Sequence, residues 1–384
     1  MSKFNITSQI IGEKRYKMLN LFFIQERTFF RLVALFLVIA AITYPYPQIA
    51  MWVGFSFAAY SAIANDSIQS IGTFIASNGD RKWWTLWLYI GGIFVATVFY
   101  SWYYYDGDVT HQRLLATNED GELKFPEATN FRFLQLAAPI VLLLLTRMRM
   151  PVSTTFMLLS VFSASSEGII SVGQKSLIGY SVAFLVAMVV WYGLDFLIKK
   201  LLKGKMHPMW RVAQWLISGW LWSMWVMHDA ANIAIYLKRS ISFTEFLVFA
   251  GMIFFGLGLL FYLRGDKIQK VVTEKSEVSD VRSASIIDFA YLIVLFVFKE
   301  MSNIPMSTTW VFIGLLGGRE LAMRFANRKR AAKDGEMNLR TTILMILRDF
   351  SFALIGLLVS VLMAIAINES LQQEITAWFS EIFK

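Results

Sequence analysis

Cysteine is absent from the 384 residues. That excludes disulfides, iron–sulfur clusters and thiol catalysis. Histidine occurs only three times, at the scattered positions His111, His207 and His228. With no His-Glu-x-x-His run and no phosphate-binding glycine loop, the chain lacks the constellations of a metallohydrolase or a nucleotide-cleaving enzyme, and it is read as a non-enzyme with no cofactor. Charge is scarce as well: 16% of residues, against about 25% in a soluble domain. The counterpart is 57% apolar residues and a mean hydropathy of +0.54, the composition of an all-α polytopic membrane protein. The net charge of +9 is spread over loops rather than gathered on one domain. It reads as cytoplasmic loops facing anionic lipid, not as a nucleic-acid surface. The first apolar run begins near Phe29 without a small-residue cleavage site, so no cleavable signal is expected.

Polar residues inside apolar sequence occur twice in the same order. Ala64-Asn65-Asp66-Ser67-Ile68-Gln69 interrupts one long apolar segment, and His228-Asp229-Ala230-Ala231-Asn232 interrupts another. Each is followed by Pro-x-Ser-Thr-Thr, at Pro151 to Thr155 and Pro305 to Thr309. Asp66 precedes Pro151 by 85 positions and Asp229 precedes Pro305 by 76. A pair of interruptions written twice predicts two related halves: repeat 1 over 47–208 and repeat 2 over 209–368. Residues 1–46 would hold an amphipathic segment and a first span, and 369–384 an amphipathic tail in the interface. Carboxylates at membrane depth are costly and mark function by default. The plainer alternative for Asp66 is a structural hydrogen-bonding group.

About eleven membrane segments are expected. A first span over 30–44 ends at Pro45 and Pro47. The apolar run over 48–78 exceeds the roughly 20 residues that a span needs, so it is read as a helix broken at Asn65-Asp66. Such unwound backbone must line a cavity or be buried in protein. Further spans are expected at 84–105, 131–146, 176–198, 243–263, 286–300 and 341–367. Short segments follow each proline, 167–175 reads as a polar turn, and 210–237 as a second interrupted helix. The acidic loop 106–130 is placed outside. The basic stretches from Lys199 to Arg211 and from Arg319 to Arg340 are placed inside, with the N-terminus. Threading the segments this way gives the two halves opposite orientation. Inverted repeats with discontinuous helices at matching positions point to a secondary transporter that binds near the midplane.

Both motifs have a chemistry. A helix start offers free N–H groups and suits an anion; proline is at home in that first turn. Ser153, Thr154 and Thr155, with Ser307, Thr308 and Thr309, would add neutral hydroxyl donors around a tetrahedral oxyanion. Asn65, Asp66 and Gln69, with Asp229 and Asn232, are the candidate cation ligands. Na⁺ would sit at Asp66 and Asp229, or those groups would carry protons. The competing explanation is ordinary: Ser and Thr cap helices and pack between them in membranes.

On these residues the chain resembles the inorganic phosphate transporter family, whose repeats carry Gly-Ala-Asn-Asp-x-x-Asn and Pro-Val-Ser-Thr-Thr-His. The likeness spans roughly 48–320. Asn65, Asp66, Gly72, Thr73 and Pro151 through Thr155 match in one half; Asp229, Asn232, Pro305, Ser307, Thr308 and Thr309 match in the other. It implies Na⁺- or H⁺-coupled uptake of phosphate, or of sulfate or another oxyanion, by alternating access. A sensor that kept the fold without transporting is the other reading. The departures make this a divergent member: Ile63 and Val226 replace the leading glycines, Gln69 and His228 replace asparagines, and Phe156 and Trp310 replace the two histidines. His228 is a candidate proton carrier or a structural hydrogen-bonding group. Arg147, Arg149 and Lys299 would draw an anion to the entrance or merely snorkel. Glu167 and Glu320 stand at parallel positions, 16 and 15 residues after their prolines. The expected setting is a plasma or inner cell membrane. The expected partners are an inorganic oxyanion, the lipid bilayer and a second copy in a homodimer.

Overall fold

The computed structural model describes residues 26–65, 67–148, 150, 152–193, 204–263, 280–301, 303–326 and 339–382. These are all-α. The one β feature among them is an isolated bridge between Thr117 and Leu123. Thirteen α-helices follow in order: α1 (Arg27–Thr43), α2 (Pro47–Asn65), α3 (Ser67–Ser77), α4 (Trp83–Tyr104), α5 (Phe133–Arg147), α6 (Thr154–Ser160), α7 (Ser166–Met188), α8 (Met209–Ala234), α9 (Phe243–Tyr262), α10 (Val281–Met301), α11 (Thr308–Ala326), α12 (Leu339–Ile367) and α13 (Glu369–Ile382). A π turn over Val189–Gly193 extends α7, and a 3₁₀ turn over Arg113–Leu115 lies between α4 and α5.

Among the described residues five helices are long and apolar enough to cross a bilayer unaided: α4, α7 with its π extension, α9, α10 and α12. The chain is a polytopic membrane protein. α2, α8 and α11 are also 19 to 26 residues long. α8 and α11 carry polar motif residues, which they bury against other helices. α7 lies along α11, α8 along α10, α4 along α9 and α8, α2 along α5 and α9, and α6 against α12. The α7–α11 contact is close because α11 presents Gly314 and Gly318, four residues apart. Their Cα atoms approach the Tyr180 and Phe184 backbone carbonyls of α7. Small residues at such spacing let membrane helices meet backbone to backbone.

Several expectations need correction. α8 is not interrupted at His228–Asn232; it runs unbroken from Met209 to Ala234. No glycine or proline breaks that stretch, and its polar side chains find partners without unwinding the ladder. The polar turn expected over 167–175 is instead the opening of α7. Glu167 there sits in the first turn, where the helix dipole favours a negative charge. α10 begins at Val281, five residues early. α11 continues past Arg319 to Ala326, and Arg319 is buried and paired with Glu320 at 2.9 Å. Among the described residues a short helix is also followed by a turn: α6 has seven residues, then a turn over 161–165, then α7. The tail over Glu369–Ile382 is helical, and Leu371 is buried. The N-terminal amphipathic segment over 1–25, Asp66, Arg149 and Pro151 lie outside the described residues, as do the side chains of Asn65, Ile375, Trp378, Phe379 and Ile382.

Candidate functional site

Both Pro-x-Ser-Thr-Thr runs open helices, α6 and α11, and both cap them the same way. Ser153 Oγ accepts the Phe156 N–H at 3.2 Å, and Ser307 Oγ accepts the Trp310 N–H at 3.2 Å. A Ser oxygen on the third N–H of a helix is the usual N-cap, with the serine itself extended; Ser153 has φ −79° and ψ 121°. Ser307 is held further by its own N–H, which donates to Ser176 Oγ of α7 at 2.8 Å. The Tyr291 hydroxyl donates to the Thr308 carbonyl at 3.1 Å. Solvent reaches none of the six hydroxyl residues: each is at most 2% exposed.

One hydrogen-bonded chain joins the two motif types. Asn232 Nδ2 donates to Asp229 Oδ1, one turn back on α8, and to Thr155 Oγ1 at 3.1 Å. Thr155 Oγ1 in turn donates to the Met306 carbonyl at 3.3 Å, just before α11. Asp229, Asn232, Thr155 and the start of α11 therefore form one buried cluster. Asn232 Oδ1 in this cluster, and Thr154 Oγ1 and Trp310 Nε1 at the two helix starts, are buried without partners among the described residues. Buried polar atoms left unpaired cost about 1–3 kcal/mol each, which a bound ion or anion would offset. His228 sits beside Asp229, its Nε2 2.9 Å from the Leu295 carbonyl. A carbonyl only accepts, so Nε2 carries a proton and donates it. In the first-half motif, Gln69 lies half-buried on α3, which packs on α8 and α10, and Asp66 lies outside the described residues.

Phe156 and Trp310 meet each other. Their ring centroids are 5.4 Å apart in an edge-to-face arrangement, and Trp310 also packs on Phe350 of α12. The positions that are histidine in the resembled family thus form an apolar contact between the two helix starts.

Sequence reading missed three buried charges. Asp288 of α10 is 2% exposed and accepts the Thr73 and Ser218 hydroxyls, each at 2.6 Å. It ties α3 to α8; a lone aspartate in the apolar run from Ile286 to Phe298 was the available signal. Arg113 enters from the acidic loop, donating Nε to the Met227 carbonyl at 2.9 Å and Nη1 to the Ile304 carbonyl at 3.3 Å. Lys175 of α7 donates to the same Ile304 carbonyl at 2.6 Å. The other flagged charges are peripheral. Arg147 pairs with Glu26, Lys299 with Glu300 at 3.1 Å, and Glu167 with Lys124 at 2.9 Å. A small cavity lined by Ala62, Phe94, Trp222, Ala230, Ile233 and Phe249 exposes only apolar surface.

The cap geometry makes a prediction of its own. Ser307→Ala removes the α11 cap and should cost about 1 kcal/mol of stability, read as a lower melting temperature in detergent. Ser307→Thr, which keeps the oxygen, should restore most of it. Equal losses in both variants would mean that tight packing rather than capping fixes this residue.

Comparison with known proteins gives one strong likeness. The chain superposes on a solved structure of "the sodium-dependent phosphate transporter" with a TM-score of 0.52, covering 86% of this chain and 98% of that one. The two share a fold. Their sequence identity is 17%. No family model matches the chain, and no curated protein matches it. Among the described residues no group of three or more His, Asp or Glu side chains is disposed to hold a metal ion.

Proposed function

We propose that the chain is a secondary active transporter that takes up an inorganic oxyanion, phosphate first, driven by Na⁺ or H⁺. The observation that carries this reading is the Asp229–Asn232–Thr155–Met306 chain of contacts. It puts a carboxylate and an amide, the ligands of a small cation, in hydrogen-bonded continuity with two hydroxyl-rich helix starts, the donors for an oxyanion. A shared site of that kind couples two ions without a covalent step. The fold likeness to the sodium-dependent phosphate transporter supports the same reading.

In detail, about eleven segments form two inverted repeats, 47–208 and 209–368, that rock about the midplane. The anion lies against Thr154, Thr155, Thr308 and Thr309, with Ser153 and Ser307 shaping the helix starts. A coupling cation, Na⁺ or H⁺, is held in the first half by Asn65, Asp66 and Gln69. Asp288, braced by two hydroxyls, is a further group for a proton or a small cation in the same region.

Uptake of labelled phosphate and of labelled sulfate into proteoliposomes tests this directly, under an imposed Na⁺ gradient or an imposed pH gradient. The expected result is phosphate uptake driven by one of the two gradients. Sulfate uptake in place of phosphate would keep the mechanism and change the substrate. Flux indifferent to either gradient would end the coupled-transport reading.

A further inference from the structure

Two positive charges are brought to one carbonyl beside the start of α11. Lys175 of α7 donates Nζ to the Ile304 carbonyl at 2.6 Å, and Arg113 donates Nη1 to the same oxygen at 3.3 Å. The two cations therefore lie no further apart than those two bonds laid end to end. Arg113 also gives Nε to the Met227 carbonyl at 2.9 Å. Both side chains are buried, Arg113 at 1% exposure and Lys175 at 9%. The acceptor they share is neutral, and a serine or an amide would satisfy it without burying a charge. Two like charges buried side by side are costly, so bracing one carbonyl does not account for them.

Both are held in place by their own surroundings. His111 and Gln112, just before Arg113, adopt left-handed backbone, with φ of 52° and 61°. Non-glycine residues stay there only where the structure around them imposes it. The Asp108 carboxylate does so, accepting the Thr110 N–H at 2.8 Å and the Gln112 N–H at 2.6 Å. Ser101 Oγ accepts the His111 N–H at 2.9 Å. Lys175 precedes Ser176, whose Oγ accepts the Ser307 N–H at 2.8 Å. The segment over 304–307 is thus fastened in turn by the two cations at the Ile304 carbonyl, by Thr155 at the Met306 carbonyl and by Ser176 at the Ser307 N–H. Two buried donors at the helix starts, Thr154 Oγ1 and Trp310 Nε1, have no partner among the described residues.

We infer that Arg113 and Lys175 are the charged ligands of the oxyanion site, gripping an anion that the helix starts orient. The inference rests on the transporter reading and deepens it. Hydroxyls and helix N-termini carry only partial charge. Phe156 and Trp310, which follow the two Ser-Thr-Thr runs, offer none and pack on each other. The full charges come instead from the loop before α5 and from α7. A guanidinium stays charged and meets two oxyanion oxygens with its fork; an ammonium acts as a compact point charge. Two fixed cations suit an oxyanion with more than one negative charge, phosphate or sulfate. The Asp229–Asn232 pair reaches the same segment through Thr155, which puts the carboxylate for the coupling ion next to the anion's cations along one strap of backbone.

The test is equilibrium binding of labelled phosphate, and separately of labelled sulfate, to the purified full-length protein in detergent. The wild type should bind one of the two. Lys175→Gln and Arg113→Gln remove the charge but offer an amide N–H in its place. Each should weaken that binding roughly tenfold or more. Arg113→Lys keeps the charge and should recover most of the loss. Melting temperatures are measured on the same samples, because a role confined to bracing Ile304 would lower them and leave the dissociation constants unchanged. Unchanged constants in the Gln variants, or a loss in Arg113→Lys equal to that in Arg113→Gln, would overturn the inference and leave the transporter reading standing. Where one Gln variant fails to fold, the other decides. Wild-type protein that melts cooperatively and binds neither anion would remove the transporter reading, and the charged ligands with it.

Discussion

Gly314→Val should leave almost no folded protein to purify. A Cβ at this position runs into the Tyr180 carbonyl oxygen, with the Tyr180 carbonyl carbon and Cα within 3.0 and 3.1 Å. A misplaced side chain can turn away, and overpacking of that kind costs about 1–3 kcal/mol. Backbone can yield only if the whole of α7 slides off α11. Gly318 repeats the contact one turn along, against the Phe184 carbonyl, so displacing the helices at one glycine parts them at both. The same two helices carry Ser176 and Ser307, whose bond seats the α11 start; the variant should lose the site with the fold. Yield of monodisperse protein after size exclusion reads the effect, with Gly92→Ala and Gly251→Ala as comparisons. Both glycines are helical with open space at the Cβ position, and alanine is the better helix former by about 1 kcal/mol. Wild-type yield for Gly314→Val would mean that the α7–α11 seam is not what holds the bundle together.

Asp229→Asn should reduce coupled uptake at least about 100-fold, the scale on which removal of a single charged group at a preorganised site acts. The amide keeps the shape of the carboxylate, and its oxygen can still accept from Asn232, so the α8–α6 connection through Thr155 survives. What disappears is the buried cluster's negative charge, the group proposed to hold the coupling ion, while the hydroxyl-rich helix starts that would bind the anion are untouched. The signature is therefore a collapse of turnover with anion binding retained. Initial uptake rates, normalised to reconstituted protein, separate this from poor insertion, and equilibrium binding of labelled phosphate to detergent-solubilised protein supplies the second half. Uptake at the wild-type rate would remove Asp229 from the mechanism.

The features that could be read from the chain were those set by local rules. Ser153 and Ser307 start helices because a serine oxygen after proline satisfies the N–H three residues on, and that needs nothing from the rest of the fold. α4, α9 and α12 were legible from apolar length alone. Polar side chains inside a long helix misled, because sequence shows a polar residue but not its partner. His228, Asp229 and Asn232 look like a break until Thr155, 77 residues away, and the Leu295 carbonyl are seen to satisfy them. Lys175 looked like part of a turn for the same reason. Arg113 had no local signal at all: it lies in an acidic loop, and its acceptors are 114 and 191 positions further on. Asp288 was visible as a lone carboxylate in an apolar run, but its meaning came from Thr73 and Ser218.

The contact between Phe156 and Trp310 bears on the membrane's voltage. The six hydroxyls behind it are closed to water, and a bilayer drives current through any continuous wet path at about 2.3 kcal/mol per charge per 100 mV. On the transporter reading, two aromatic rings where histidines would leave a polar seam act as electrical insulation. They keep protons from short-circuiting the site while it waits empty. Trading Trp310 for histidine would then show first as a proton leak, before any change in what is carried.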